Sequence, residues 1–422
     1  MTRVDVSRHL LNARQIAAVL TAFALPLSTS GQAIGVGILI VLCLLTLDRA
    51  RIAATATQPA AFIPVLLVAL ILIGVTWSMS PLPVAAKAGV EPYAKFLLIP
   101  LLMACRFTPR QLLQIGVGFL VGCTVVLAIS LTSILWPTGP WGFFKSPGVP
   151  FKDNAVQSAC FALCAFGLAI AAINLWSVGR HRSAILSIAL AVLFFGDIFL
   201  IFVSKTGIIS AFALLGLLLL HAGGWRRVIV IMLPVVVLIA VVVVVAKPER
   251  LRITEIMHDV GANAASPASN TENISTASRI DFWHKAAGFV TASPLIGYGT
   301  GSIRPLYQTV EATQPSPYGS ATHDPHNQIL HVTLQVGIIG ALLLIAMWIA
   351  HGMLFTGRDV VSLFGQAVVL QSVIGCLFNS HLASVTQGML YCLAIGLLGA
   401  VVPAAKTALS RDPNKNFKAI SA

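Results

Sequence analysis

Long apolar runs separated by short polar breaks make up most of this chain. Predominantly apolar stretches cover 14–30, 32–47, 61–78, 91–105, 111–135, 155–176, 183–204, 207–222, 228–245, 328–353, 360–380 and 387–403. A helix needs about 20 such residues to cross a bilayer, so the pattern predicts twelve membrane helices. Pro26 and the Ser28-Thr29-Ser30-Gly31 break shorten the first two, which read either as a tight hairpin or as one interrupted helix. Only the stretch from Ala246 to about Asn327 loses its apolar character over a long distance. The expected fold is therefore an all-α polytopic membrane protein in three parts. Residues 1–245 carry helices one to nine, 246–327 form a large, mostly helical external loop, and 328–422 carry the last three helices and a tail.

Composition narrows the class further. Hydrophobic residues are 57% and charged residues 10% of the 422, against roughly 45–50% and about 25% in soluble chains. That excludes a soluble enzyme and a disordered chain. A net charge of +13 would suggest nucleic acid only if it formed a basic face on a soluble domain, and here it is scattered between apolar runs. Alternate connections hold Arg3, Arg8, Arg14, Arg49, Arg51, Arg106, Arg110, Arg180, Arg182, Arg226, Arg227, Arg358, Lys406, Arg411, Lys415 and Lys418, with only Asp5, Asp48, Asp359 and Asp412 opposing them. Lysine and arginine are retained on the cytoplasmic side, so both termini are expected there and the long loop outside. The arginines, apolar run and small residues at the N-terminus mimic a signal peptide. Cleavage would put Asp48–Arg51 on the wrong side, so the segment reads as retained. The seven cysteines lie in or at the ends of apolar runs without metal-ligand spacing. Neither a disulfide nor a metal site is expected.

Within the long loop, Lys247–Asp259 has helical periodicity and Gly261–Asn273 reads as linker. Asn273-Ile274-Ser275 fits a glycosylation pattern that is mostly met by chance. Order is expected to resume at Ser278, where Ser278-Arg279-Ile280-Asp281 fits a capping box. Ile280, Trp283, Ala287 and Val290 then recur at helical spacing, with Trp283 suited to the membrane interface. The helix is expected to stop at Ser293-Pro294. Gly297-Tyr298-Gly299-Thr300-Gly301 follows, a plain connector or, less commonly, a cradle of amides for phosphate. Asp324-Pro325 pairs aspartate at N-cap with proline at N1 and should open the tenth span. His326 then sits at the positive end of a helix on the outer surface. Alone, such a histidine is more often a satisfied polar group than a base, and His323, His331 and His381 are more ordinary still.

Ionisable groups within apolar runs are costly and mark cavities, partners or pathways. Lys205, in Ser204-Lys205-Thr206-Gly207, can snorkel to the surface. Asp197 lies deeper, and needs a polar cavity or a partner. Glu91 and Lys95 are spaced to pair. Lys145, Lys152 and Asp153-Asn154 crowd a second external loop that could wall the same region.

Three features together resemble the O-antigen ligase and polymerase superfamily of bacterial inner-membrane glycosyltransferases. His326-Asn327 followed after nine residues by Gly337-Ile338-Ile339-Gly340 is similar to the ligase signature. Arg279, Trp283 and Pro294-Leu295-Ile296-Gly297-Tyr298-Gly299 resemble the family's Arg…Trp…Pro-Leu-x-Gly-x-Gly run. Ser204-Lys205-Thr206-Gly207 stands where the family usually has Ser-Arg-x-Gly, so charge is kept and bidentate geometry lost. The similarity covers roughly 200–345. It implies transfer of a glycan from undecaprenyl diphosphate to a sugar hydroxyl of lipid A–core on the periplasmic face, without a cofactor or metal and with inversion. His326 would be the base and Arg279 and Lys205 the diphosphate ligands, with Asn327, His323, Lys152 and Lys145 in support. The partners implied are the lipid-linked glycan, lipid A–core and membrane lipids, not nucleic acid. Rival readings are an O-antigen polymerase, a protein O-oligosaccharyltransferase, and a lipid-linked-glycan flippase or transporter. The last is disfavoured because no internal repeat is visible.

Overall fold

A computed structural model describes residues 3–136, 148–200, 204–223, 271–313 and 322–402. The expected ninth span, the Lys247–Asp259 helix, the linker's first ten residues, Lys145 and the tail beyond 402 lie outside the described residues. Everything described is helix and connection. Among the described residues six helices are long and apolar enough to cross a membrane, and a seventh arises if one bent pair is a single span. In chain order the elements are α1 (Arg3–Ala24), α2 (Thr29–Leu45), α3 (Arg49–Ala56) and α4 (Pro59–Ile73). A broken stretch follows, made of α5 (Leu82–Ala85), a π turn (Ala86–Val90), α6 (Glu91–Ala94), a 3₁₀ turn (Lys95–Leu97) and α7 (Leu98–Met103). Then come α8 (Pro109–Leu135), α9 (Asn154–Ser177), α10 (His181–Leu200), α11 (Lys205–Gly223), α12 (Thr271–Ala292), α13 (Ile303–Glu311), α14 (Gln328–Leu354), α15 (Val360–Phe378) and α16 (Val385–Gly399).

Polar residues at the breaks start the helices by accepting their free amides. Ser28 serves Gly31, Asp48 serves Ala50, Asp153 serves Val156 and Asp359 serves Ser362. Thr108 and Gln111 form a reciprocal capping box ahead of α8. The hairpin alternative holds for the first pair, since Pro26 and Ser28 separate α1 from α2. The expected span 91–105 is longer and irregular. Pro83, Pro92 and Pro100 each remove an amide donor, and the stretch changes pitch repeatedly rather than running as one α-helix. All seven cysteines are buried free thiols.

Two expectations for the loop helix need correction. Helix α12 begins at Thr271, not Ser278. Thr271–Ala277 contains neither glycine nor proline, so once a turn exists each further residue adds a hydrogen bond, and Ser278 falls inside the helix. Its buried stripe is also rotated. Phe282, Ala286 and Phe289 pack with Ile303, Leu306 and Tyr307 of α13 and Leu334 of α14, while Ile280 is exposed. Lys285 bridges Asp281 on its own helix at 3.0 Å and Glu311 of α13 at 3.5 Å. Helices α12 and α13 therefore form a small cluster seated on the first half of α14.

The bundle has two unlike ends. At one, Lys152 donates to Thr29 and Thr386, joining the starts of α2, α9 and α16. The start of α11 lies there too, because Gly207 is pressed against Ser158 so tightly that a Cβ would not fit. At the other end the side chains of Arg14, Arg51 and Arg106 meet Thr46, Cys105 and Asp48.

Candidate active site

Helix α14 is broken where the chain reaches Val336-Gly337. Gly337 has φ 67° and ψ −167°, a conformation open to glycine and costly for other residues. The break leaves the carbonyls of Leu334 and Gln335 and the amide of Ile338 without helical partners. The Pro294–Gly301 turn supplies them. Tyr298 N donates to Leu334 O at 2.9 Å, Gly299 N to Gln335 O at 2.8 Å, and Ile338 N to Pro294 O at 2.8 Å. Gly301 N donates to Gln335 Oε1 at 2.7 Å and Thr300 N to Gly74 O at 2.9 Å. The amides of Tyr298, Gly299, Thr300 and Gly301 are thereby spent on the protein itself, which favours the connector reading of this turn over the phosphate cradle. The two glycine motifs are halves of one joint, which fixes the α12–α13 cluster to α14 and so fixes where α14 begins.

That beginning also differs from the sequence expectation. Asn327 is the N-cap, its Oδ1 accepting from Ile329 and Leu330 at 3.0 and 3.1 Å. Asp324 does a different job. Its Oδ1 accepts the amide of His326 at 2.8 Å and the hydroxyl of Ser380 at 2.6 Å. His326 is the only non-glycine residue at positive φ among the described residues, at 53°, a placement that costs ~1–3 kcal/mol and persists only where surroundings impose it. The surroundings are on hand. Trp283 Nε1 donates to Pro325 O at 2.8 Å, and Phe282 stacks on the imidazole with ring centroids 6.2 Å apart. Trp283 thus fastens α12 to the residue before the histidine.

The imidazole is oriented from α15. His326 Nδ1 lies 2.8 Å from Asn379 Oδ1 and 3.9 Å from Asp324 Oδ2. Both neighbours are acceptors, so the hydrogen-bond pattern assigns the proton to Nδ1 and leaves a lone pair on Nε2. The side chain is about one-third exposed, at 35%. Burial raises the Asp324 carboxyl, but the nearby His331 and His326, the Ser380 hydroxyl and the His326 amide outweigh it, and the net shift is downward. Arg279 is half-buried, which lowers its guanidinium, while Asp324 lies near enough to oppose that shift; its charge also reaches His381. Asp324 therefore lies between an oriented imidazole and the charge of Arg279.

Not every expected residue joins them. Lys205 begins α11 at the same end of the bundle, its place set by Ser204, whose Oγ accepts Gly207 N at 3.1 Å. No described contact links it to His326. Lys152 ties helix starts together, Asn327 caps, and His323 is exposed. His331 is buried and bonded to the Tyr93 hydroxyl at 2.7 Å. Asp197 has partners, accepting from Ser130 at 2.6 Å and Gln157 at 3.0 Å. Glu91 and Lys95 do not pair as their spacing suggested. The pitch change between them rotates Lys95 away, and it donates to the carbonyls of Ala383 and Ser384 instead. Sequence reasoning missed Asn379 and Ser380, and misassigned Asp324. Asn379-Ser380-His381 is a polar break between two apolar runs, a signal that was visible but had no link to residues fifty positions earlier.

Fold and site define an all-helical membrane protein with one oriented histidine beside an acid that an arginine charge also reaches. Residues 189–345 match the family model of O-antigen ligase, and over that region the chain resembles this family. A Rickettsia felis protein named as a candidate polysaccharide ligase is 37% identical over 78 residues. That alignment covers 17% of this chain and 19% of the relative, so the chain spans about a fifth of the relative's length. Lys205, Arg279, His326 and the Gly337 break all fall inside the matched region, whereas Asn379 and Ser380 fall beyond it.

Proposed function

We propose that the chain is a glycan ligase which joins an undecaprenyl-diphosphate-linked glycan to a sugar hydroxyl of lipid A–core at the periplasmic face of a bacterial inner membrane. The observation that carries this reading is the orientation of His326, whose Nδ1 faces Asn379 Oδ1 at 2.8 Å beside Asp324, the carboxyl that the Arg279 charge also feels. Nε2 takes the proton of the acceptor hydroxyl as its oxygen attacks the anomeric carbon. The bond from that carbon to the diphosphate oxygen breaks and its electron pair leaves with the diphosphate. Arg279 and Lys205 offset the charge that grows there, the stage at which fixed cations count most. Histidine suits the proton transfer because its pKa lies near neutrality. Attack opposite the departing diphosphate inverts the anomeric centre. Charge supports this choice of face, since cytoplasmic ends retain arginine and His326 lies at the end opposite Arg14, Arg51 and Arg106.

The test is reconstitution of the purified chain in detergent with lipid-linked glycan and rough lipopolysaccharide. Glycan joined to core without a membrane gradient is the expected result. Lengthened lipid-linked glycan with bare core would instead make it a polymerase, and no covalent product at all would favour a transporter.

A further inference from the structure

The turn that supplies Asn379 and Ser380 continues into His381 and on to Ser384, where α16 begins. Beneath it, between α9, α15 and α16, is a cavity of about 30 Å³ walled by Ala159, Leu163, Val368 and Tyr391 together with Gln371, His381 and Gln387. Each of the last three carries one buried polar atom without a partner: Gln371 Oε1, His381 Nε2 and Gln387 Nε2. Gln371 and His381 are only 6% and 8% exposed. The identity of the orphaned atoms is fixed by their other halves. Gln371 Nε2 is committed to Ala159 O at 2.8 Å, and Gln387 Oε1 accepts from Ser384 at 3.2 Å. Three orphans around one cavity are unlike the native pattern, in which buried polar groups are paired.

We propose that this cavity is an internal water site, holding one or two waters that link Gln371, His381 and Gln387 and so brace the Asn379–Ser384 turn against α15 and α16. The volume is right, since one water needs about 10–15 Å³ of such space and two to four polar partners. The chemistry selects water over an ion. Gln371 Oε1 only accepts, Gln387 Nε2 only donates, and an imidazole nitrogen serves either way. A cation would meet the amide hydrogens and an anion the carbonyl oxygen, whereas water donates to one and accepts from the other. Burial holds the His381 imidazole at a pKa of about 4, so it stays neutral and adds no charge to the cavity.

Two measurements on the full-length chain in lipid nanodiscs test it. A structure at a resolution that shows ordered solvent should place density within hydrogen-bond distance of all three atoms. Side chains turned toward one another, or an acyl chain in the space, would overturn the site. Gln371→Met and Gln387→Met should each lower Tm, and the double variant should lose less than the two losses together, because the second substitution removes an orphan that the first created. Additive losses, or single variants as stable as the parent, would mean that no shared water is present.

Discussion

The two ends of the helix bundle handle charge in opposite ways. At the arginine-rich end the cations are spent on structure. Arg14 donates to Thr46 and to the carbonyl of Arg106 while lying 4.7 Å over the Phe107 ring, and Arg51 donates to Cys105 O at 2.6 Å. These carbonyls follow the end of α7, where free acceptors and the helix dipole favour positive charge. At the other end the contacts gather around one strained residue: Asp324 accepts its amide and Asn379 faces its ring, while Ser380 holds Asp324 and Trp283 holds the carbonyl of Pro325 just before it. A similar number of polar contacts fastens helix ends in one place and sets a tautomer in the other. Polar density does not locate the chemistry. The feature that does is where the contacts gather, spread over three arginines at one end and centred on a single strained residue and its neighbours at the other.

Substitutions at the two ends should accordingly differ by orders of magnitude. The largest effect is expected for His326→Ala, which should lower transfer by ~10²–10⁴-fold while lipid-linked donor still binds. Activity within about threefold of the parent at saturating substrates would remove His326 from the proposed role. Next is the cation beside it. Arg279→Lys should lower turnover and raise the donor requirement by roughly tenfold or more, because a guanidinium can hold two phosphate oxygens and charge-assisted bonds are worth ~1.5–3 kcal/mol. Lys205→Arg should change little, as the charge is kept. Steady-state kinetics on donor and acceptor separately would show whether the loss falls on the donor side.

Asn379 sharpens the comparison, because it acts through the histidine. Asn379→Leu should lower kcat by about tenfold with acceptor KM nearly unmoved, since an orienting bond is lost and no substrate contact. Asn379→Asp should keep much of the rate but displace the acid limb of the pH profile. A carboxylate beside the ring favours imidazolium and raises its pKa, so activity should fade at higher pH than in the parent. An unchanged profile would mean that Asn379 does not set the state of His326. The smallest effect is expected at the opposite end. The Arg106–Asp48 pair is short, at 2.6 Å, but its arginine side chain is 73% exposed, and exposed pairs contribute little. Arg106→Ala should leave transfer within about twofold and thermal unfolding nearly unchanged.

Much of the architecture was legible because lipid imposes a simple rule on sequence. Backbone groups in hydrocarbon must bond within their own helix, so apolar runs map directly onto helices. α8, α9, α10, α14 and α15 lie within a few residues of the runs that predicted them. His326 and Arg279 were legible only through family resemblance, as nothing local separates them from ordinary polar residues. The broken stretch Leu82–Met103 was read as a single shorter helix, because its prolines show where α-geometry fails without showing what replaces it.

By itself the sequence determined where the long apolar helices lie and which end gathers the arginines. Those follow from apolar length, capping residues and charge, each readable within a few positions. Only the tertiary structure decided what the motifs are for. The Pro294–Gly301 turn could have offered its amides to a phosphate, and it was the break at Gly337, some forty residues on, that claimed them. Asp324 could have capped a helix, and it was Ser380 and the backbone of His326 that drew it into the site. Hydrogen-bonding groups in a low-dielectric interior go to whichever partner the fold brings within 3 Å, and contacts across fifty residues have no signature in the order of the residues between them.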